Sequence, residues 1–194
     1  MHHIYHTRGF ILSSKNVGEA DKMFSIYTRE LGLVRAHARG VRLHKSKLRF
    51  TMQDFSYANI DLVRGKDIWR VTTAKHITSF PLSRANESSL ILTTRVSRLL
   101  ERLCTGEAQN EEIFDDFIQA LYLLDDENVS STSREALELH LVLRILNNLG
   151  YIDDSLILKK YLSAPFDHSK IETLLLERQS IISHINRALN ESQL

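Results

Sequence analysis

The chain has 194 residues, 43% of them hydrophobic and 25% charged, with a formal net charge of +1. That length holds one large domain or two small ones, and the composition is that of an ordinary soluble globular protein. Its single cysteine, Cys104, excludes an intramolecular disulfide and a cysteine-rich zinc site, which suits a reducing cytoplasm.

The N-terminal MHHIYHTRGF lacks the long apolar core of a signal peptide. The apolar stretch LHLVLRIL from Leu139 contains His140 and Arg144 and is too short to span a bilayer, so a cytoplasmic protein is expected. YHTRGFILSS has the aromatic and β-branched content of a strand, followed by turn chemistry in VGEAD. KMFSIYTRE reads as a second strand, closed by Leu31-Gly32. LVRAHARGV alternates with period two: Val34, Ala36 and Ala38 on one face, Arg35, His37 and Arg39 on the other. RLHKSKLRFTMQ loses that alternation and reads as a short helix or a loop. FSYANIDLV and IWRVTTAKHITSF are two further strands, joined by RGKD as a hairpin turn. Five short strands with an irregular piece between the third and fourth predict an OB-type barrel over residues 1–80.

After Phe80-Pro81 the periodicity becomes helical. Leu92, Val96, Leu99 and Leu103 recur at amphipathic spacing. A second helix is predicted from Asn110, an N-cap followed by Glu111 and Glu112. A third opens with the capping-box pattern Thr132-Ser133-Arg134-Glu135 and continues as ALELHLVLRILNNLG, apolar on nearly every side and therefore central. A last helix is predicted from near Asp167, with Ser169 and Glu172 in capping-box spacing, to Leu189. The expected architecture is α+β: a five-stranded barrel in 1–80 and an all-α bundle in 81–194.

Catalytic constellations are missing. Gly65-Lys66 fails the phosphate-loop pattern, with Ile60 where a glycine belongs and Asp67 after the lysine; H-E-x-x-H, G-x-S-x-G and C-x-x-C do not occur. His140 reads as a satisfied core histidine and Cys104 as an inert packing residue. In Asp115-Asp116, Asp125-Asp126 and Asp153-Asp154, neighbours on a helix point different ways, which favours solubility or capping over metal binding. A binding protein without metal or cofactor is expected.

Charge is unevenly spread. Residues 1–80 hold six Lys and eight Arg against six acids, a net +8; residues 81–194 hold 11 basic residues against 18 acids, a net −7. The opposition suggests two units with different partners, the first for nucleic acid. VRAHARGVRLHKSKLR carries Arg35, Arg39, Arg42, Lys45, Lys47 and Arg49, with His37, and no carboxylate. On a barrel strand and its following loop, such a run makes a cationic groove for phosphates. Phe10, Tyr27, Tyr57 and Trp69 are either base-stacking platforms or barrel core. Nothing in the run reads a base sequence, so binding should be non-specific.

These residues resemble a family. Gly18-Glu19-Ala20-Asp21-Lys22, Thr28-Arg29-Glu30, Gly32, Ala38-Arg39-Gly40-Val41-Arg42 and Lys45-Ser46-Lys47-Leu48-Arg49 are similar to the N-terminal pattern of RecO, the bacterial recombination mediators. Gln53-Asp54-Phe55, Ser79-Phe80-Pro81 and Asn148-Leu149-Gly150-Tyr151 continue the likeness. The resemblance implies an OB domain followed by a helical domain, without catalytic turnover. It implies binding of single- and double-stranded DNA, strand annealing, and work with RecR, the acidic tail of the single-stranded DNA-binding protein and, indirectly, RecA at gaps, in a nucleoid-associated cytoplasmic protein. DNA contact would fall on Arg35, His37, Arg39, Arg42, Lys45, Lys47 and Arg49. The acidic tail would fall on the helical domain, at Arg95, Arg98, Leu99 and Arg102, where cations adjoin apolar residues. Two other classes stand beside this one: a protein-binding adaptor and an RNA-binding accessory factor. Family members often carry a four-cysteine zinc site after the Leu-Gly-Tyr block. Here IDDSLILKKYLSAPF has no cysteine, so packing by Leu156, Ile157 and Tyr161 is expected in its place.

Overall fold

The computed structural model describes residues 3–66, 68–80, 87–104, 106–126, 129–152, 161–162 and 174–191. Five strands, β1 (Ile4–Val17), β2 (Asp21–Thr28), β3 (Gly32–Ala38), β4 (Ser56–Arg64) and β5 (Trp69–Ser79), close a barrel in the order β1-β2-β3-β5-β4. Neighbours pair antiparallel except β3 and β5, whose short parallel ladder (Ala36 with Trp69, His37 with Arg70) seals it. The predicted alternation of β3 is present: Val34, Ala36 and Ala38 are buried and Arg35 is exposed. The irregular segment holds a single turn of helix, α1 (Leu48–Thr51).

β1 reaches both its neighbours by its length. Its first half pairs with β4, its second with β2, and a bulge between Ile11 and Ser13 bends it around the barrel. The bend brings backbone and side chains together at Gly9, where a Cβ would sit 2.8 Å from Ile26 Cγ2 and 3.0 Å from Ile60 Cδ1. The consecutive buried residues Phe10, Ile11 and Leu12 serve two cores. Ile11 points into the barrel with Phe24, Ile26, Ile60 and Leu62, while Phe10 and Leu12 point outward into a second cluster shared with the helices.

Four described helices form that second cluster: α2 (Glu87–Leu103), α3 (Glu111–Leu124), α4 (Ser131–Asn148) and α5 (Arg178–Glu191). Asn110 caps α3 as expected, its side chain accepting from Ile113 N at 3.0 Å. α4 starts earlier than the capping-box pattern suggested: Ser130, not Thr132, accepts from Ser133 N. Runs of serine and threonine offer several caps, and the one taken lets Ala136, Leu137 and Leu141 face inward. α4 packs against α2, α3 and α5, the central position read from its apolar composition. His140 is buried, its Nε2 2.7 Å from the carbonyl oxygen of Tyr161, itself buried. Asp153-Asp154, Leu156, Ile157, Ser169 and Glu172 lie outside the described residues.

Barrel and helices interlock through aromatic rings. Phe117 of α3 stands edge-on to Phe10 at 5.0 Å between centroids, and Phe114 lies 5.8 Å from Tyr27 and 6.1 Å from Tyr57. Polar clamps surround them. Arg29, just past β2, grips Asp115 with Nε and Nη2, both at 2.9 Å, and Glu111 with Nη1 at 2.5 Å. Ser13 donates to Glu101 at 2.5 Å, and the indole of Trp69 donates to Glu107 at 2.8 Å, with Arg64 3.1 Å from the same carboxylate. Gly32, at φ +66°, lies under the loop between α2 and α3; a Cβ there would sit 2.3 Å from the carbonyl oxygen of Ala108. Part of the charge opposition between the two halves is therefore spent on each other, rather than on separate partners.

Candidate nucleic-acid interface

The basic run leaves the barrel wall at the end of β3 and crosses one end of the barrel. The crossing is pinned from beneath: Val41, Leu48 and Met52 join the barrel core, so the polar residues between them face solvent. Asp21 fixes the turn, accepting from Gly40 N at 2.7 Å and meeting His37 Nε2 at 3.0 Å. Arg42 N bonds Ala20 O at 2.9 Å, and its guanidinium donates to Gly18 O at 3.1 Å. Arg39, Lys45 and Lys47 are exposed; Arg49 is half-buried, its Nη1 3.2 Å from His44 Nδ1.

Arg42 and Arg49 line a common hollow of about 280 Å³ with Lys22 of β2. Lys22 and Arg49 also line the adjoining groove, about 820 Å³, between this end of the barrel and α2. Arg35 stands apart in a second groove of about 380 Å³ beside Lys15, with Glu101 on the opposite wall. Sequence reading missed Lys22 because it lies outside the run; pairing of Lys22 with Ala38 carries it to the run's edge. Arg70 escaped for the same reason, since the parallel ladder sets it beside His37.

Among the described residues, Arg35, Arg39, Arg42, Lys45, Lys47 and Arg49 form no ion pair with a carboxylate. His37 differs, being half-buried and held by Asp21. The four aromatic residues weighed as stacking platforms are core. Phe10, Tyr27 and Tyr57 are sealed beneath the helices, and Trp69 is 4% exposed under Tyr5 and Glu107. The outward faces of Phe10, Tyr27 and Tyr57, open on an isolated barrel, are covered here by the helices. The exposed aromatic at the basic end is instead Phe50 of α1, 78% exposed, with the Arg49 guanidinium 6.0 Å from its ring centroid.

On α2, Arg95, Arg98 and Arg102 share an exposed face that continues to Ile91, and Leu99 is half-buried beside it. Arg95 Nη1 lies 3.6 Å from Glu138 of α4. Burial raises the Glu138 carboxyl above the usual range against the opposing pull of Arg95.

Burial pushes the Cys104 thiol up to about 11, leaving it a poor nucleophile. Asp115 and Asp116 point to different partners, Arg29 and Arg144, and among the described residues no cluster of His, Cys, Asp and Glu could hold a metal ion. No helix of the described residues is long and apolar enough to cross a membrane.

Residues 1–80 match the family description "Recombination protein O N terminal", and residues 88–154 match "Recombination protein O C terminal". The chain belongs to the RecO family. Among its relatives is the DNA repair protein RecO of Dehalococcoides mccartyi, 32% identical over 140 residues, which are 72% of this chain and 55% of that protein. The DNA repair protein RecO of Clostridium perfringens is 29% identical over 143 residues, 74% of this chain and 57% of the relative. That of Desulfitobacterium hafniense is 28% identical over 148 residues, 76% and 52%. The chain thus spans about half the length of the curated RecO relatives it matches.

Proposed function

We propose that this chain binds DNA without sequence preference and anneals complementary strands, as a mediator of recombination at gaps. The observation that carries the reading is that Arg39, Arg42, Lys45, Lys47 and Arg49 cross one end of an OB-type barrel, with Arg35 on the wall of β3, and none has a carboxylate ion-pair partner among the described residues, in a RecO-family chain. Arg35, Arg39, Arg42, Lys45, Lys47 and Arg49 neutralise phosphates on two strands, with Lys22 and Arg70 extending the surface. His37, tied to Asp21, sets the turn and adds charge when protonated. Lower mutual repulsion lets the strands approach and pair. No covalent bond is made or broken, and no cofactor is needed.

The same reading puts the acidic tail of the single-stranded DNA-binding protein on the exposed face of α2. There Arg98 and Arg102 meet carboxylates, Arg95 shares in this beside Glu138, and Ile91 and Leu99 take the apolar end. RecR is the expected co-mediator and RecA the recombinase loaded as a result, all in the cytoplasm at the nucleoid.

The test is fluorescence anisotropy of a labelled single strand, comparing wild type with Arg35, Arg39 and Arg42 changed to glutamate at two salt concentrations, followed by an annealing assay. Salt-sensitive binding abolished by the triple change is expected. Binding indifferent to the change would turn the run into a protein-facing surface and favour an adaptor. Tighter binding to RNA than to DNA of the same sequence would favour an RNA accessory role.

A further inference from the structure

The single turn α1 separates its residues by function. Leu48 and Met52, four apart, plug the end of the barrel. Phe50, two residues from each, is turned about 200° away from them by helical geometry. At 78% exposure Phe50 buries little of its ring in the fold and presents the rest to solvent. Immediately after α1 the chain turns through Phe55, which has φ +65°, alone in the left-handed region among the described non-glycine residues. Its conformation is held from both sides: Phe55 N donates to Ile11 O at 2.8 Å, and Phe55 O accepts from Phe80 N at 2.9 Å. This corner sets Gln53 and Asp54 on the wall of the 820 Å³ groove, with Phe50 beside them and Leu90 of α2, 41% exposed, contributing from the helical side.

We propose that this groove takes an unpaired nucleobase, stacked on Phe50, with its edge against Gln53 and Asp54 and its phosphates on Lys22, Arg42 and Arg49. The proposal rests on the DNA-binding reading and narrows it to single strands, because a paired base cannot offer its face to a side chain without leaving the stack. A flat ring supplied by the chain and an amide and a carboxylate to meet base edges complete what phosphate contacts alone lack.

The test compares wild type, Phe50→Ala and Phe50→Trp in anisotropy titrations with oligo(dT) and with a duplex of equal length. Phe50→Ala should weaken oligo(dT) binding roughly five- to 150-fold, the range of a lost base–aromatic stack. Its duplex binding should change by less than the oligo(dT) loss, and its circular dichroism should match wild type. Phe50→Trp should restore affinity, and its added indole fluorescence should be quenched by oligo(dT) but not by the duplex. Equal losses on both nucleic acids, or none, overturn the stacking site while leaving DNA binding intact. Displacement of oligo(dT) by an acidic peptide in wild type but not in Phe50→Ala would assign the groove to a protein tail instead. Wild type binding neither nucleic acid would remove the parent reading and this site with it.

Discussion

Changing Arg42 and Arg49 to glutamine should flatten the salt dependence of single-strand binding by a calculable amount. Both line one hollow and neither has a carboxylate partner among the described residues, so each is available to a phosphate. If all six cations of the run engage, at about −0.7 per phosphate, the log–log slope against salt is roughly −4. Raising salt from about 50 to about 200 mM then weakens binding roughly 250-fold. Removing two contacts brings the slope to roughly −3 and the loss over that interval to roughly 60-fold. The assay is anisotropy of labelled oligo(dT) across a series of salt concentrations, with circular dichroism to verify folding. A double variant that binds more weakly at every salt with an unchanged slope would mean the arginines act through packing. A wild-type slope near zero would remove counterion release, and with it the electrostatic mechanism.

Phe117→Ala, which empties a fully buried position between barrel and helices, should cost about 3–5 kcal/mol and lower the melting temperature by roughly 10 °C. Gly32→Ala should push the α2–α3 loop off the barrel, releasing the Trp69–Glu107 hydrogen bond and red-shifting the emission of the only tryptophan; unchanged emission would mean the loop yields without moving Glu107. Acid should unclamp the halves. Arg29 holds the Asp115 carboxyl below the usual carboxylate range, so its contribution is present above about pH 4 and lost as pH falls through the lowered folded value. Asp116 and Glu138, raised by burial, work in the opposite sense, so the melting temperature of Asp115→Asn should fall less steeply than wild type below about pH 4. Cys104 should resist a thiol reagent at about pH 8 until urea unfolds the chain, since its thiolate is scarce and its side chain largely covered.

Local pattern was enough for the barrel. The alternation of β3, the hairpin turn at Gly65 and the loss of period after Val41 are each short-range consequences of backbone geometry, and each has its counterpart in the strands observed. The basic surface proposed for DNA was half legible. Charge is visible in a string of residues, so the basic run announced itself. Lys22 and Arg70 join it only through strand pairing, which a single sequence does not display. The aromatic residues stayed ambiguous between platform and core for a related reason. Phe10, Tyr27 and Tyr57 face outward on their strands, as platforms would, and only the docking of α3 turns that outward face into core. Phe50 had a readable signal in the four-residue spacing of Leu48 and Met52, which puts anything midway on the opposite side.

The shared aromatic core also governs how the molecule can move. Parting barrel from helices would expose Phe10, Tyr27, Tyr57, Phe114 and Phe117, at about 2 kcal/mol each, roughly 10 kcal/mol altogether. That is comparable to the whole stability of an ordinary domain, so the two parts travel as one body. On the proposed reading, a strand seated at the basic end and a ligand seated along α2 would then be held at a constant separation and angle, as in a jig. Such a molecule cannot bring its guests together by closing on them. Encounter must come from the nucleic acid's own motion, or from a second copy of the chain carrying the complementary strand.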